Sequence, residues 1–214
     1  QFFIRRASKP AGLLLGYILV DLFFNFSKRE IVMTGQLSGI KLGQELKVCI
    51  DTFIALMGEE EVIDAVGTLI VDALKSGHKV ISCGNGGSAC IAEHLAEELT
   101  GRFRLDRVPL PAISLTLSSA LITCIANDYS FEDVFSRQIQ ALAQSGDVLV
   151  VFSTSGNSPN IIRAIEVAKE KGVTTVGLLG RDGGLAVDIV DCAVVVKSDN
   201  TARIQEVHTF LIHY

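Results

Sequence analysis

The sequence predicts an α/β fold, a parallel sheet flanked by helices. Two observations carry this. Five short runs rich in β-branched and other apolar residues follow one another after residue 77, and helical patterns separate them. The runs are nearly continuous in hydrophobicity, as strands buried on both faces are. With 214 residues, 49% of them apolar, the chain can bury the core such a fold needs, and extended disorder is excluded.

In chain order, residues 38–57 place Leu42, Leu46, Cys49, Ile50, Phe53, Ile54 and Met57 at helical spacing. Residues 59–76 form a second helix with the stripe Val62, Ala65, Val66, Leu69, Ile70, Ala73 and Leu74, stopped by Gly77. The strand runs are His78–Cys83, Leu110–Leu115, Asp147–Phe152, Val173–Leu179 and Cys192–Lys197. Helices are expected over 88–100, 117–126, 131–145 and 159–171, and again from Arg203.

Residues 1–32 stand apart. They carry five basic residues against two acidic ones and hold five of the eleven phenylalanines, while the whole chain has a net charge of −5. Their apolar run Ala11–Val20 is shorter than the ~20 residues a membrane span needs. They are read as a leader outside the fold, either upstream sequence or a targeting segment, with an extra packing helix as the remaining alternative. Residues 33–214 are read as one domain, with the final helix cut short at Tyr214. That domain is expected to be cytoplasmic and to bind no membrane. Its acidic balance argues against a nucleic-acid partner. The five cysteines are widely spaced with no C-x-x-C, which fits a reducing compartment.

Two loops carry the chemistry. The first strand runs into Gly84-Asn85-Gly86-Gly87-Ser88, and the third into Ser153-Thr154-Ser155-Gly156-Asn157-Ser158 with Pro159 opening a helix. Both lie where parallel strands end, the place open α/β sheets bind ligands. Glycines admit a close backbone approach, and hydroxyls beside free helix N–H groups suit a phosphate. Such residues also cap and turn ordinary loops, but five hydroxyls in two such loops favour phosphate. Gly84-x-Gly86-x-x-Ala89 satisfies the loose dinucleotide pattern. Yet the second strand ends Ser114-Leu115-Thr116 without a carboxylate, and no P-loop lysine follows either loop, so a small-molecule monophosphate fits better than a dinucleotide or ATP.

His94 and Glu98 share a helix face at i,i+4, a spacing that suits a divalent metal or acid–base work, and equally a solvated polar stripe. Arg102, four further on, is placed to pair with Glu98. The last helix brings Gln205, His208 and His213. Gln205 and His213 are about 12 Å apart along its axis, so a shared site would require them to converge from different turns.

The Gly84–Ser88 loop, His94-x-x-x-Glu98-Leu-Thr-Gly-Arg102, Asn127-Asp128, the Ser153–Ser158 loop, Asp182-Gly-Gly184 and Arg203-Ile-Gln205-Glu206-x-His208 together resemble the phosphoheptose isomerases of the sugar isomerase (SIS) domain superfamily. The resemblance covers residues 33–214. It implies a three-layer, flavodoxin-like fold with a five-stranded parallel sheet preceded by N-terminal helices, assembled as a homotetramer with active sites at subunit interfaces. It implies one zinc per subunit on His94, Glu98, Gln205 and His213, with Glu98 and His213 as the acid–base pair. Ser88, Ser153, Thr154, Ser155 and Ser158 would hold the phosphate. Asn85, Arg102 and Asp128 would line the sugar site, and Gly86, Gly87, Asn127 and Gln205 would also contact the substrate. The implied reaction converts sedoheptulose 7-phosphate to D-glycero-D-manno-heptose 7-phosphate through an enediol, feeding nucleotide-activated heptose for lipopolysaccharide or other surface glycans. The family tends to have Asp where this chain has Ala202. A non-catalytic SIS relative, an adaptor for a replication initiator, shares the glycine loop and the Ala-Arg-Ile-Gln-Glu-x-His run. It lacks the counterparts of Glu98 and His213, which this chain has. An isomerase of another sugar phosphate is the remaining alternative.

Overall fold

A computed structural model describes residues 41–214; the leader assigned to 1–32 and the expected helix start at 38 lie outside them. The elements are α1 (Leu42–Leu56), a 3-10 turn at Met57–Glu59, α2 (Glu60–Lys75), β1 (Val80–Gly84), α3 (Gly87–Thr100), β2 (Ala112–Ser114) and α4 (Ser119–Asp128). There follow a 3-10 turn at Phe131–Asp133, α5 (Ser136–Leu142), β3 (Val148–Ser153), α6 (Pro159–Glu170), β4 (Thr174–Gly180), α7 (Gly184–Val187), β5 (Cys192–Val196) and α8 (Thr201–His213).

The five strands are parallel in the order β2-β1-β3-β4-β5. The central strand β3 shows why its sequence is apolar from Val148 to Phe152. Leu149 and Val151 face a core completed by Ile125, Ile139, Ile161 and Ile165. Val148, Val150 and Phe152 face the opposite core, with Leu56, Val66, Ile91, Ile204 and Val207. Alternate side chains feed the two layers, so neither face tolerates a polar residue.

Two stretches depart from the pattern. The helix expected over 131–145 is broken, because Val134 and Phe135 are buried at the junction between a 3-10 turn and the short α5. The run from Leu110 yields only a three-residue strand. Pro111 has no N–H to give a ladder; its carbonyl still accepts from Val80 N at 3.0 Å. Proline is tolerated there because β2 is an edge strand.

The strand order reverses between β1 and β3, so their carboxyl ends flank a crevice that opens where β1 passes into α3 and β3 into α6. α3 and α8 pack on one face of the sheet. Ile204 and Val207 of α8 are fully buried, and so is His208. The His208 ring sits edge-on to Phe152 at 6.0 Å, and its Nε2 donates to the Leu179 carbonyl at 3.3 Å. Its Nδ1 is buried without a hydrogen-bond partner among the described residues. Burial therefore pushes the imidazole pKa down to about 4, against the opposing pull of the Leu179 carbonyl.

A folded pKa below the unfolded value near 6.5 means the unfolded chain binds the extra proton first. Stability from this group is complete above pH 6.5 and is lost as the pH falls towards 4. Urea unfolding should show about 2 kcal/mol less stability at pH 5 than at pH 7 from His208 alone. That part of the slope should vanish in His208→Gln.

Candidate active site

The crevice is built by backbone economy at the end of β1. A Cβ on Gly84 would lie 2.5 Å from the Ser88 carbonyl oxygen, and Gly86 has φ +56° and ψ −123°. Glycine at both positions lets the strand turn straight into α3. α4 and α8 are capped by side chains, Ser118 accepting from Leu121 N and Asn200 from Ala202 N and Arg203 N. The N-termini of α3 and α6 are not. Two helix starts with N–H groups uncapped by side chains thus stand at the crevice, an arrangement that favours an anion.

Hydroxyls surround those starts. Ser88 and Ser153 are buried, and Ser158 is the N-cap residue of α6 yet makes no capping bond. Ser153 Oγ accepts from Gly156 N at 3.0 Å and Ser155 Oγ from Asn157 N at 3.3 Å, so each hydroxyl keeps its proton to donate elsewhere. The loop is braced by the Asp182-Gly-Gly184 segment. Asn157 Oδ1 accepts from Leu185 N, the Gly156 carbonyl accepts from Ala186 N, and a Cβ on Gly156 would fall 1.8 Å from the Gly183 carbonyl oxygen. A cavity of about 180 Å³ opens beside the glycine loop, lined by Asn85, Gly86, Ala89, Glu93, Thr116 and Phe131 among others.

Further along α3 stands a second cluster. His94 Nε2 lies 3.2 Å from Glu98 Oε1, and His213 Nε2 lies 3.3 Å from His94 Nε2 and 3.5 Å from Glu98 Oε1. One ligand atom from each falls within 4.8 Å of the others. Two imidazole nitrogens and a carboxylate oxygen converging on one point are a donor set that a divalent transition metal takes. Helices after parallel strands run in the same direction, which explains the meeting. Gln205 lies against the first residue of α3, its amide atoms 2.7 Å from where a Gly87 Cβ would be. His213, eight residues on, meets His94 and Glu98 further along. The two α8 side chains therefore contact α3 at successive levels, Gln205 beside the glycine loop and His213 in the triad.

The loop after α3 closes over this cluster. Phe103 stacks on the His213 ring at 5.3 Å and 12° between planes, with the Arg104 guanidinium 4.8 Å from the Phe103 centroid. Arg107 donates to the Glu98 and Leu99 carbonyls at 2.6 and 2.8 Å, holding the end of α3. Arg102 does not pair with Glu98 as its spacing suggested. The helix stops at Thr100 with Gly101 as cap, so Arg102 has left the helical face, and Glu98 is engaged by the two histidines. Thr154 is partly buried in the second loop. Asn127 and Asp128 end α4, where Asn127 Nδ2 donates to Asp128 Oδ1 at 2.8 Å and Cys124 Sγ lies 3.5 Å from Asp128 Oδ2. Phe103 and Arg107 were not singled out from the sequence, since their loop has no periodicity and no motif spacing.

The family model for the SIS domain matches residues 47–180. The phosphoheptose isomerase of Campylobacter concisus is 55% identical over 145 residues, covering 68% of this chain and 77% of that one. That of Citrifermentans bemidjiense is 46% identical over 175 residues, covering 81% and 91%. The chain belongs to the phosphoheptose isomerase family. Solved phosphoheptose isomerases agree with the fold. The Francisella tularensis structure superposes with a TM-score of 0.78 at 36% identity, covering 80% of this chain and 92% of that one. The Neisseria gonorrhoeae structure does so with 0.73 at 39% identity, covering 81% and 95%. Among the described residues, no helix is long and apolar enough to cross a membrane.

Gly156 offers a direct check on how this family member shapes its loop. Its φ is +64°, and Ala there meets both a left-handed backbone and the Gly183 carbonyl. Gly156→Ala should lose about 2 kcal/mol of stability on the backbone cost alone. Isothermal titration with inorganic phosphate should show at least about tenfold weaker binding.

Proposed function

We infer that the chain is an aldose–ketose isomerase that interconverts sedoheptulose 7-phosphate and D-glycero-D-manno-heptose 7-phosphate, a step in heptose biosynthesis. The observation that carries this reading is the pairing of an uncapped, hydroxyl-lined double helix start with a His/Glu/His cluster further along the same helix. The relatives named above supply the chemical identity of the sugar. The product's use, in lipopolysaccharide or another surface glycan, belongs to the same reading.

Ser88, Ser153, Thr154, Ser155 and Ser158 are assigned to the phosphate, with the N–H groups of the α3 and α6 starts. Asn85, Arg102 and Asp128 are assigned to the sugar, and Gly86, Gly87, Asn127 and Gln205 to the bound substrate. Isomerisation moves a proton between C1 and C2. One group of the Glu98/His213 pair takes the C1 proton of the ketose as the C2 carbonyl oxygen gains a proton, leaving the 1,2-enediol. Returning a proton to C2 and removing one from O1 completes the aldose. The two side chains lie 3.5 Å apart, close enough to share one proton between steps.

His94, Glu98 and His213 would hold a divalent metal, which we assign as zinc; Gln205, whose amide lies at Gly87, is the fourth ligand that the family resemblance implies. A bound metal would polarise the substrate oxygens and stabilise negative charge on them. The homotetramer implied by the family is supported by the exposed apolar residues Leu46, Ile50, Ile54 and Met57 on and beside α1.

Glu98→Gln keeps the shape of the cluster and removes the carboxylate. Steady-state assays with sedoheptulose 7-phosphate should show kcat lowered by about 10²-fold or more, with inhibition by inorganic phosphate unchanged. Turnover near that of the parent enzyme in the folded variant would refute the role.

A further inference from the structure

Asn85 in the glycine loop and Asn160 in the first turn of α6 face one another amide to amide. Asn85 Nδ2 donates to Asn160 Oδ1 at 2.8 Å, and Asn160 Nδ2 donates to Asn85 Oδ1 at 2.9 Å. Asn160 is buried, 2% exposed. Among the described residues, no other side-chain hydrogen bond joins residues 84–88 to residues 153–160. The pair lies at the carboxyl ends of β1 and β3, where the strand order reverses.

We propose that Asn160 is a positioning residue for phosphate recognition, acting through Asn85 to hold the glycine loop at fixed distance and orientation from the Ser153–Ser158 loop. The proposal rests on the reading of those two loops as the phosphate site. A reciprocal amide pair is nearly planar, so it fixes the side-chain torsions of both residues together. Burying it has a desolvation cost, and two apolar side chains of similar size would fill the same space at little or no loss of stability. What apolar contact lacks is direction. Two opposed N–H···O bonds set both spacing and tilt, which an anion held by two helix starts at once requires.

The hydrogen-bond inventory shows how binding survives the clasp. Each amide has two N–H donors and an oxygen with two lone pairs. The clasp uses one donor and one lone pair on each side. Asn85 keeps a second N–H, and it also lines the cavity beside the glycine loop. Asn160 thus aims Asn85 and needs no contact with the ligand itself. Asn160 follows Pro159 at the start of α6, so its backbone is set by the same turn that presents Ser158.

The test is a double-mutant cycle of Asn85→Ala and Asn160→Ala. KM and kcat for sedoheptulose 7-phosphate, the inhibition constant of inorganic phosphate, and the thermal midpoint are measured for each. Asn160→Ala should raise KM and the phosphate inhibition constant by about tenfold, the loss of roughly one hydrogen bond's worth of ordering, with kcat much less affected. The double variant should bind phosphate little worse than Asn85→Ala alone, since Asn160 acts through Asn85. Unchanged phosphate inhibition in Asn160→Ala beside a lowered thermal midpoint would show a structural role only and overturn the proposal. Additive losses in the cycle would also overturn it. If Asn160→Ala does not fold, Asn160→Ser, too short to reach Asn85, is read by the same criteria. A parent protein that isomerises the sugar but is not inhibited by phosphate overturns the phosphate reading, and the proposal with it. Inhibition of the parent with no change in Asn160→Ala overturns the proposal alone.

Discussion

Everything in the site follows from one constraint, the reversal of strand order between β1 and β3 in a sheet whose strands all run one way. Parallel strands force their following helices to start at the same edge of the sheet. The reversal sends the chain away on opposite sides, so the starts of α3 and α6 flank a gap that no connection fills. The same rule makes α3 and α8 run side by side in one direction. That is why Gln205 meets α3 at Gly87 and His213 meets it at Glu98.

The arrangement solves an electrostatic problem. The chain is acidic, with a net charge of −5, yet its ligand is an anion. Bulk charge cannot attract it, so the attraction has to be local and short-ranged. In the proposed site it would come from helix N–H groups uncapped by side chains and from buried hydroxyls. Reaction chemistry is kept apart from this. Six residues of helix, about 9 Å of rise, separate Ser88 from His94, so a phosphate can be anchored at one level while its carbon chain reaches the other. A terminal phosphate on an open-chain sugar has that shape.

Much of this was legible in the sequence, for identifiable reasons. β3 is apolar from Val148 to Phe152 because both of its faces are buried; glycine at 84 and 156 follows from close approaches that a side chain would obstruct, and at 86 from a positive φ. His94 and Glu98 needed only the helical repeat. What sequence spacing could not yield depends on tertiary direction. Gln205 and His213 stand eight residues apart on α8, and because α3 runs beside it in the same direction they meet α3 at two levels, Gly87 and the His94/Glu98 pair. Asn160 reads as an ordinary polar residue in a first turn, because its partner Asn85 lies 75 residues away. Phe103 and Arg107 belong to a loop whose shape is set by what it covers, His213 and the end of α3.

In the proposed mechanism, phosphate binding at the paired helix starts delivers a sugar to the His/Glu/His cluster. The most direct measurement is turnover followed by NMR, with sedoheptulose 7-phosphate, sedoheptulose and fructose 6-phosphate supplied side by side. Sedoheptulose 7-phosphate should be converted to the aldose heptose phosphate, with the unphosphorylated sugar essentially inert and the hexose phosphate slower. Equal rates with and without the phosphate, or no conversion of sedoheptulose 7-phosphate by the metal-loaded protein, would contradict this mechanism.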